Sequence, residues 1–400
     1  MKIYDVTIAG AGIVGLAAGL KLLEKNPALK ILILEKEDGI SKHQSGHNSG
    51  VIHSGIYYKP GSLKALNCRK GYNQLLKFCD KENIPYNICG KVIVATQEKE
   101  LQYLENLYER GIANGLSGIK KISAEELKEY EPHAYGIKAI HVPYTGIIDF
   151  KVVCSKYSEL IQASGGEIKL NEKIKKVISA GNNVEIITQN SSFTSKSFVN
   201  CCGLYSDEIA KLSSDYQDIR IIPFRGEYYK IKKEKHYLVK SLIYPVPNPE
   251  FPFLGVHFTT LIEGGVEAGP NAVLSFKKEG YTKTSFSLYD TFKTFSWRGF
   301  QKVMTKYMKI GLGEFYRSYS KGAFVKALQK LVPEITKDDL EKGGAGVRAQ
   351  AIDRHGKLMD DFVIDNKNKI INVLNAPSPA ATSSLAIGEK ISEEIINRLN

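Results

Sequence analysis

The sequence predicts a mixed α/β chain: a parallel-sheet nucleotide domain assembled from separated stretches, with a second domain of α+β character and an antiparallel sheet threaded through it. Three observations predict this. Residues 1–35 read as strand, glycine turn, helix, strand. Ser197-Phe198-Val199-Asn200-Cys201-Cys202-Gly203 is a later apolar strand that ends on glycine and returns the chain to the first sheet. Residues 220–278 alternate β-branched and aromatic residues between Pro and Gly breaks, the pattern of a sheet with one covered face.

The opening is the strongest element. Tyr4-Asp5-Val6-Thr7-Ile8-Ala9 is a buried strand, Gly10-Ala11-Gly12-Ile13-Val14-Gly15 a glycine turn, and Ile31-Leu32-Ile33-Leu34-Glu35 a second strand after an Ala/Leu-rich helix. In such a Rossmann-like unit Gly10 permits the turn, Gly12 lets the backbone approach a pyrophosphate, and Gly15 lets the helix pack on the strand. The phosphates sit on free N–H groups at the helix start. Glu35 ends the second strand, where a carboxylate accepts hydrogen bonds from adenosine ribose hydroxyls and repels a 2′-phosphate, so NADP is disfavoured.

Composition narrows the rest. Four hundred residues suit two domains, and no uninterrupted apolar stretch of about 18 residues is present. The apolar N-terminus is a strand followed by GxGxxG rather than a cleavage site, so the expectation is a chain neither secreted nor membrane-spanning. Cys68, Cys79, Cys89, Cys154, Cys201 and Cys202 show no metal or disulfide spacing, which suits free thiols in a reducing compartment. The net charge of +12 fits an acidic partner or a lysine-rich proteome; no nucleic-acid signature accompanies it.

The polar stretch from Ser41 to Ser62 holds His43, His47 and His53 with several small residues and little to anchor it, as a loop wrapped around a polar ligand would. The spacing of the histidines could suggest a metal, but no carboxylate or cysteine completes a ligand set, so no metal is expected. A long helix follows near Ser62–Asn83, then a strand at Lys91–Thr96. Residues 98–130 read as two charged helices, the second opening on a Ser123/Glu126 capping box. A helix at about 151–164 follows Gly146-Ile147-Ile148-Asp149. Short strands at Glu167–Leu170, Lys173–Ile178 and Val184–Thr188 are joined in part by the hairpin signal Gly181-Asn182-Asn183, and a helix starts near Ser206. Arg225–Ile231, Pro245–Phe258 and Gly265–Leu274 are the antiparallel strands.

Residues 291–330 interleave Phe292, Phe295, Trp297, Phe300, Met304, Tyr307, Met308, Leu312, Phe315 and Tyr316 with lysines and arginines, against the single acid Glu314. That matches an interfacial membrane helix or an amphipathic helix packed on its own protein. Gly343–Gln350 is a glycine-lined strand carrying Arg348, strands follow at Phe362–Ile364 and Ile370–Leu374, and Asn375–Ser384 leads into the last helix through small residues that leave room for a ligand.

Collected, these segments resemble the FAD-dependent oxidoreductases of the D-amino-acid oxidase superfamily, and within it the L-2-hydroxyglutarate oxidase/dehydrogenase family. The resemblance rests on GAGIVG with Glu35, HQSGHNSGVIHSGIYYKPGSLK, PFRGEYY, YPVPNPEFPFLGVHFT, GPNAVLSF, GVRAQA and NAPSPAATSSLAIG, which run through the whole chain. It implies a discontinuous FAD-binding domain (1–80, 150–215, 340–400) and a substrate domain (84–149, 216–339). Gly10, Gly12 and Gly15 would hold the pyrophosphate and Glu35 the ribose. Ile174 would offer its backbone to the adenine. Ser45, His47, Asn48 and Ser49 would line the pyrophosphate and flavin, and Ser378, Pro379, Ala380, Ala381 and Thr382 would face the flavin pyrimidine edge. Ile13, Val14, Lys36 and Gly203 complete the expected cofactor contacts, and the flavin is expected to be noncovalent.

Oxidising a 2-hydroxy acid needs a hydride acceptor, a base for the hydroxyl proton and cations for carboxylates. The resemblance places Arg348 on the substrate carboxylate, with a structural salt bridge as the alternative. His257 and His53 compete for the base, with His257 favoured, and Tyr57, Tyr58 and Arg225 are candidates for the distal carboxylate, a strand-end structural arginine being the alternative for Arg225. The expected reaction is oxidation of L-2-hydroxyglutarate to 2-oxoglutarate, a small dicarboxylate, with electrons passing to a membrane quinone or O2. The expected location is cytoplasmic, with peripheral contact through 291–330 on the inner face of the cell membrane. The rivals are the same fold acting on glycerol 3-phosphate or an amino acid, and a noncatalytic flavin-binding, membrane-associated protein.

Overall fold

The first strand, Ile3–Ala9, is buried from Val6 onward and pairs in parallel with Ile31–Leu34 on one side and Ser192–Asn200 on the other. A computed structural model describes residues 2–214, 216, 218–248 and 254–399, and among these the strands fall into three sheets. The first runs Ile174–Ala180, Asn183–Thr188, Ser192–Asn200, Ile3–Ala9, Ile31–Leu34, Glu167–Lys169, with Ile370–Asn375 added in parallel on Ser192–Asn200. The N-terminal, middle and C-terminal stretches therefore share one sheet. Helices Ile13–Lys25 and Ser384–Leu399 cross so closely that a Cβ on Gly388 would lie 2.6 Å from the Ala17 backbone.

The second sheet is built on a long antiparallel pair, Ile219–Ile231 with Leu340–Asp353. Outward from Ile219–Ile231 come Val266–Gly269, His257–Thr260, Leu242–Pro245, Lys91–Ala95, Lys138–Val142 and Lys120–Ser123. Leu340–Asp353 thus belongs to this sheet, so the sequence boundary at 340 falls on the wrong side of it. A small third sheet joins Val51–Ile52, Gly146–Ile148 and Tyr86–Asn87.

Most local expectations hold because their end signals are physical. Ser62 caps the helix Leu63–Glu82, which ends at Asn83 in a left-handed conformation. Ser123 and Glu126 form the reciprocal capping box of Ala124–Tyr130. The strand Lys120–Ser123 before it, and Lys138–Val142 after it, escaped the charge-dominated sequence reading. The stretch read as one strand from Pro245 to Phe258 is two, Leu242–Pro245 and His257–Thr260. Pro245 and Pro247 cannot donate to a ladder, and 249–253 lie outside the described residues.

The basic aromatic segment is helical: Leu288–Phe295, Arg298–Tyr319 and Lys321–Leu328. Its aromatics divide. Phe300 is buried, and Phe295, Trp297 and Tyr307 pack around it. The Trp297 indole N–H donates to the Ile352 carbonyl and its ring meets the Arg220 guanidinium, so the chain's sole Trp anchors the helix inward rather than marking an interface. Glu314 is buried against Arg317. Phe292, Met304, Met308, Leu312 and Tyr316 face out. Among the described residues no helix is long and apolar enough to cross a membrane.

Candidate active site

The glycine turn has the geometry its spacing requires. Gly10 has φ of +100°, and a Cβ there would meet the Cys201 carbonyl at 2.7 Å. One on Gly15 would lie 2.0 Å from the Gly10 oxygen, which fixes how near the helix sits to the strand. Gly12 begins the helix without a side-chain cap, and the Ile13 N–H donates to Ser45 Oγ at 2.9 Å. Val14 follows in the same turn. This is a helix start served by small groups, where an anion can approach.

Glu35 is buried at the end of its strand and accepts from the Ala11 N–H at 2.9 Å and the Glu37 N–H at 3.0 Å. A carboxylate offers about four lone-pair directions, so acceptor capacity remains for ribose hydroxyls. Lys36 is otherwise employed. Its ammonium binds Glu37 and Glu279 and lies over the Tyr205 ring, which directs it into the protein rather than toward a phosphate. Ile174 opens its strand opposite Thr188, and Gly203, at φ +51°, leaves room for Gln44.

The distant polar segments meet. Thr382 Oγ1 accepts from the His53 N–H at 3.1 Å, and Ser378 Oγ lies 3.5 Å from His53 Nε2. The turn from Pro377 to Ser384 is closed by N–H groups of Ala380, Ser383 and Ser384 on the carbonyls of Pro377, Pro379 and Ala381. Gln44 accepts from the Ala349 N–H, and Gly346 sits against the His47 carbonyl. Asn48 is spent on the loop itself, bonding Gln44, Ser45 and Gly50. His47 stacks on Tyr281 at 4.4 Å, and burial lowers its pKa. Ser45, Asn48 and Ser49 line one side of a cleft of about 190 Å³ opposite Ile148 and Thr260.

Beside this junction stands a row of buried and half-buried ionisable groups. Tyr244 stacks on His257 at 3.9 Å. His257 Nδ1 lies 2.8 Å from the Gly255 carbonyl, which can only accept, so Nδ1 carries the proton and Nε2 keeps its lone pair. Burial lowers the His257 pKa to about 3, helped by Arg348 and Lys91, and lowers that of His53 to about 3 for the same first reason. Tyr58 is buried, its pKa raised by burial, with Ser378 at its hydroxyl. The Tyr57 hydroxyl is buried and, among the described residues, has no hydrogen-bond partner. Arg348 reaches the Asn271 carbonyl at 3.4 Å and lies beside Tyr228. Arg225 does not join this row as a carboxylate ligand. Its fork is occupied by Glu227, at 3.0 and 2.9 Å, and by the Thr282 carbonyl, which makes it a structural arginine.

His43 also departs from expectation. It meets carboxylates that its own stretch lacks, Glu37 at 2.9 Å and Glu279 at 3.8 Å. The three could hold a metal ion, but the Lys36 ammonium already bridges both acids.

The family model for FAD-dependent oxidoreductases matches residues 5–394. The chain belongs to the FAD-dependent oxidoreductase family. Among its relatives, this oxidoreductase is 56% identical to L-2-hydroxyglutarate dehydrogenase of Indibacter alkaliphilus over 99% of both chains. It is 45% identical to the mitochondrial L-2-hydroxyglutarate dehydrogenase of Homo sapiens over 99% of this chain and 89% of that one. Its fold is that of the FAD-bound, dithionite-reduced L-α-glycerophosphate oxidase of Mycoplasma pneumoniae, with a TM-score of 0.81 at 23% identity, covering 99% of this chain and 95% of that one. Glycine oxidase of Geobacillus kaustophilus gives 0.76 at 13% identity, covering 100% and 96%. The residues fit FAD. A glycine cradle opens onto a helix start, and a buried hydroxyl on Tyr57 waits without a partner. Lys91 and Tyr244, which stand in the same row as His257, escape the sequence reading. The one available signal was a lysine heading an otherwise wholly apolar strand, Lys91–Ala95, every residue of which is buried.

Proposed function

We propose that this FAD-dependent oxidoreductase oxidises L-2-hydroxyglutarate to 2-oxoglutarate and passes the electrons to a membrane quinone. The observation that carries the reaction is the His257 ring. With Nδ1 protonated its Nε2 carries the lone pair, it is neutral at working pH, and Arg348 lies within electrostatic reach. Full-length relatives bearing the name L-2-hydroxyglutarate dehydrogenase support the substrate.

Bound FAD supplies the acceptor for the hydride leaving C2. His257 Nε2 takes the hydroxyl proton as the C2–O double bond forms, and the substrate's negative charge lifts its low basicity. Arg348 holds the C1 carboxylate, for which a planar guanidinium suits paired hydrogen bonds. His53, held between Thr382 and Ser378, orients the opposite side of the site. A substrate panel tests this. L-2-hydroxyglutarate should bleach the flavin, and glycerol 3-phosphate, glycine and other amino acids should not. A flavin bleached by one of those alone would replace the reading, and a yellow protein bleached by none would make it noncatalytic.

A patch on the surface supports the quinone. Met308, Leu312 and Tyr316 recur every fourth residue on the helix beyond the kink at Tyr307, Met304 precedes that kink, and all four face solvent, with Lys302, Lys306 and Lys309 exposed among them. An apolar stripe flanked by lysines suits the face of an anionic bilayer, where quinones dissolve. Sedimentation with anionic vesicles, lost in a variant carrying Asp at 308 and 312, is the expected result. Stoichiometric peroxide with no quinone reduction would assign the electrons to O2 instead.

A further inference from the structure

Lys91 is a buried cation that the reaction above does not use. It is 1% exposed at the head of the strand Lys91–Ala95. Among the described residues its ammonium meets no carboxylate; it lies 4.5 Å from the Tyr57 ring centre and 4.8 Å from that of Tyr244. Leu242–Pro245 runs beside its strand, with Tyr244 opposite Ile93, and His257–Thr260 comes next in the sheet. Lys91, Tyr244 and His257 therefore gather on one face, and Tyr57 comes onto the same ammonium from the flavin loop with its own hydroxyl unpartnered. A buried ammonium resting only on aromatic faces is costly unless an anion joins it. Two cations, Lys91 and Arg348, bear on His257.

We propose that Lys91 binds the distal carboxylate of the substrate, opposite Arg348 on the C1 carboxylate, and so selects a dicarboxylate over a monocarboxylate 2-hydroxy acid. The inference rests on the reaction proposed above and names its specificity determinant. The Tyr57 hydroxyl stands beside this carboxylate as a second donor. The groups facing Lys91 are His53, His257, Cys68, Tyr57 and Tyr244. All are neutral: burial holds both histidines near pKa 3, pushes the Cys68 thiol to about 12 and raises both tyrosines above their ordinary value. Nothing among them competes with an incoming carboxylate. Burial lowers the Lys91 pKa to about 7, so the ammonium is present below that pH and lost above it. The kcat/KM for a dicarboxylate then falls as pH rises through about 7, and that for a monocarboxylate lacks this limb.

The test compares flavin-replete wild type with Lys91→Met and Lys91→Arg. Its readouts are the ratio of kcat/KM for L-2-hydroxyglutarate to that for L-2-hydroxyvalerate, and calorimetric binding of glutarate against valerate. Lys91→Met should lower both ratios by about 30-fold or more, the usual effect of removing one member of a buried charge pair, and abolish the alkaline limb. Lys91→Arg should restore part of each. Equal losses on both acids, or an unchanged ratio in Lys91→Met with flavin retained, would overturn the assignment. A wild-type protein that does not oxidise L-2-hydroxyglutarate at all would instead overturn the reaction on which it rests.

Discussion

The two halves of the site are made of different materials. The nucleotide cradle is backbone and small side chains: Gly10, Gly12, Gly15, Ser45 and Thr382 define space and hydrogen-bond donors by lacking bulk. The proposed substrate side is bulk and charge: Tyr57, Lys91, Tyr244, His257 and Arg348 on neighbouring strands and a loop. On the proposed reading the first half recognises a large common ligand through shape, so steric change destroys it outright. The second recognises a small ligand through charge, so a single substitution changes rate or selectivity and leaves the colour.

Breaking the cradle should give the largest effect. Gly15→Val puts a side chain where a Cβ already lies 2.0 Å from the Gly10 oxygen, and the expected product is a protein without flavin or without a fold. Gly344→Ala, whose added Cβ meets nothing within 4 Å, should stay yellow. On the other side, His257→Gln should keep its flavin and lose about 10²–10⁴-fold in kcat, as loss of a general base does. A deficit confined to KM would move the base to His53. Because burial holds His257 near pKa 3, it stays deprotonated well below the ordinary histidine range. The wild-type kcat/KM should therefore show no acid limb near pH 6.5, and such a limb would contradict the burial of that ring.

Arg348→Ala should raise the substrate KM by about 30-fold or more with flavin retained, since truncating one partner of a buried charge pair costs about 2 kcal/mol upward. An unchanged KM would remove it from the carboxylate. The smallest effect belongs to neither half: Ser123→Ala removes the acceptor for the Glu126 N–H and should cost about 1 kcal/mol of stability, read from denaturant unfolding, while kinetics and flavin content stay as they are.

The same division explains what could be read from the sequence. Glycine turns, caps and the strand that carries Arg348 follow from local constraints, which leave their mark at fixed spacing. The meeting of His53 with Thr382 and Ser378 was legible only through family resemblance, since nothing local links residues so far apart. Arg225 stays open in the sequence between a distal carboxylate and a structural role, and the structure favours the second because Glu227, two residues on and on the same face of the strand, takes its guanidinium. Lys91 was missed because a lysine at a strand end normally reaches water; here Tyr57, from a loop far earlier in the chain, closes over it. The place of Trp297 stays open in the sequence, between a membrane face and the protein itself, because composition gives a helix's aromatic content and not the face that each residue takes.

The most direct measurement is a single-turnover titration of the purified protein, without oxygen, with each enantiomer of 2-hydroxyglutarate. The L form should bleach the bound flavin and release one 2-oxoglutarate per flavin, with the D form inert. A flavin that stays yellow with the L form, or bleaches without 2-oxoglutarate appearing, would contradict the assignment of this site to L-2-hydroxyglutarate oxidation.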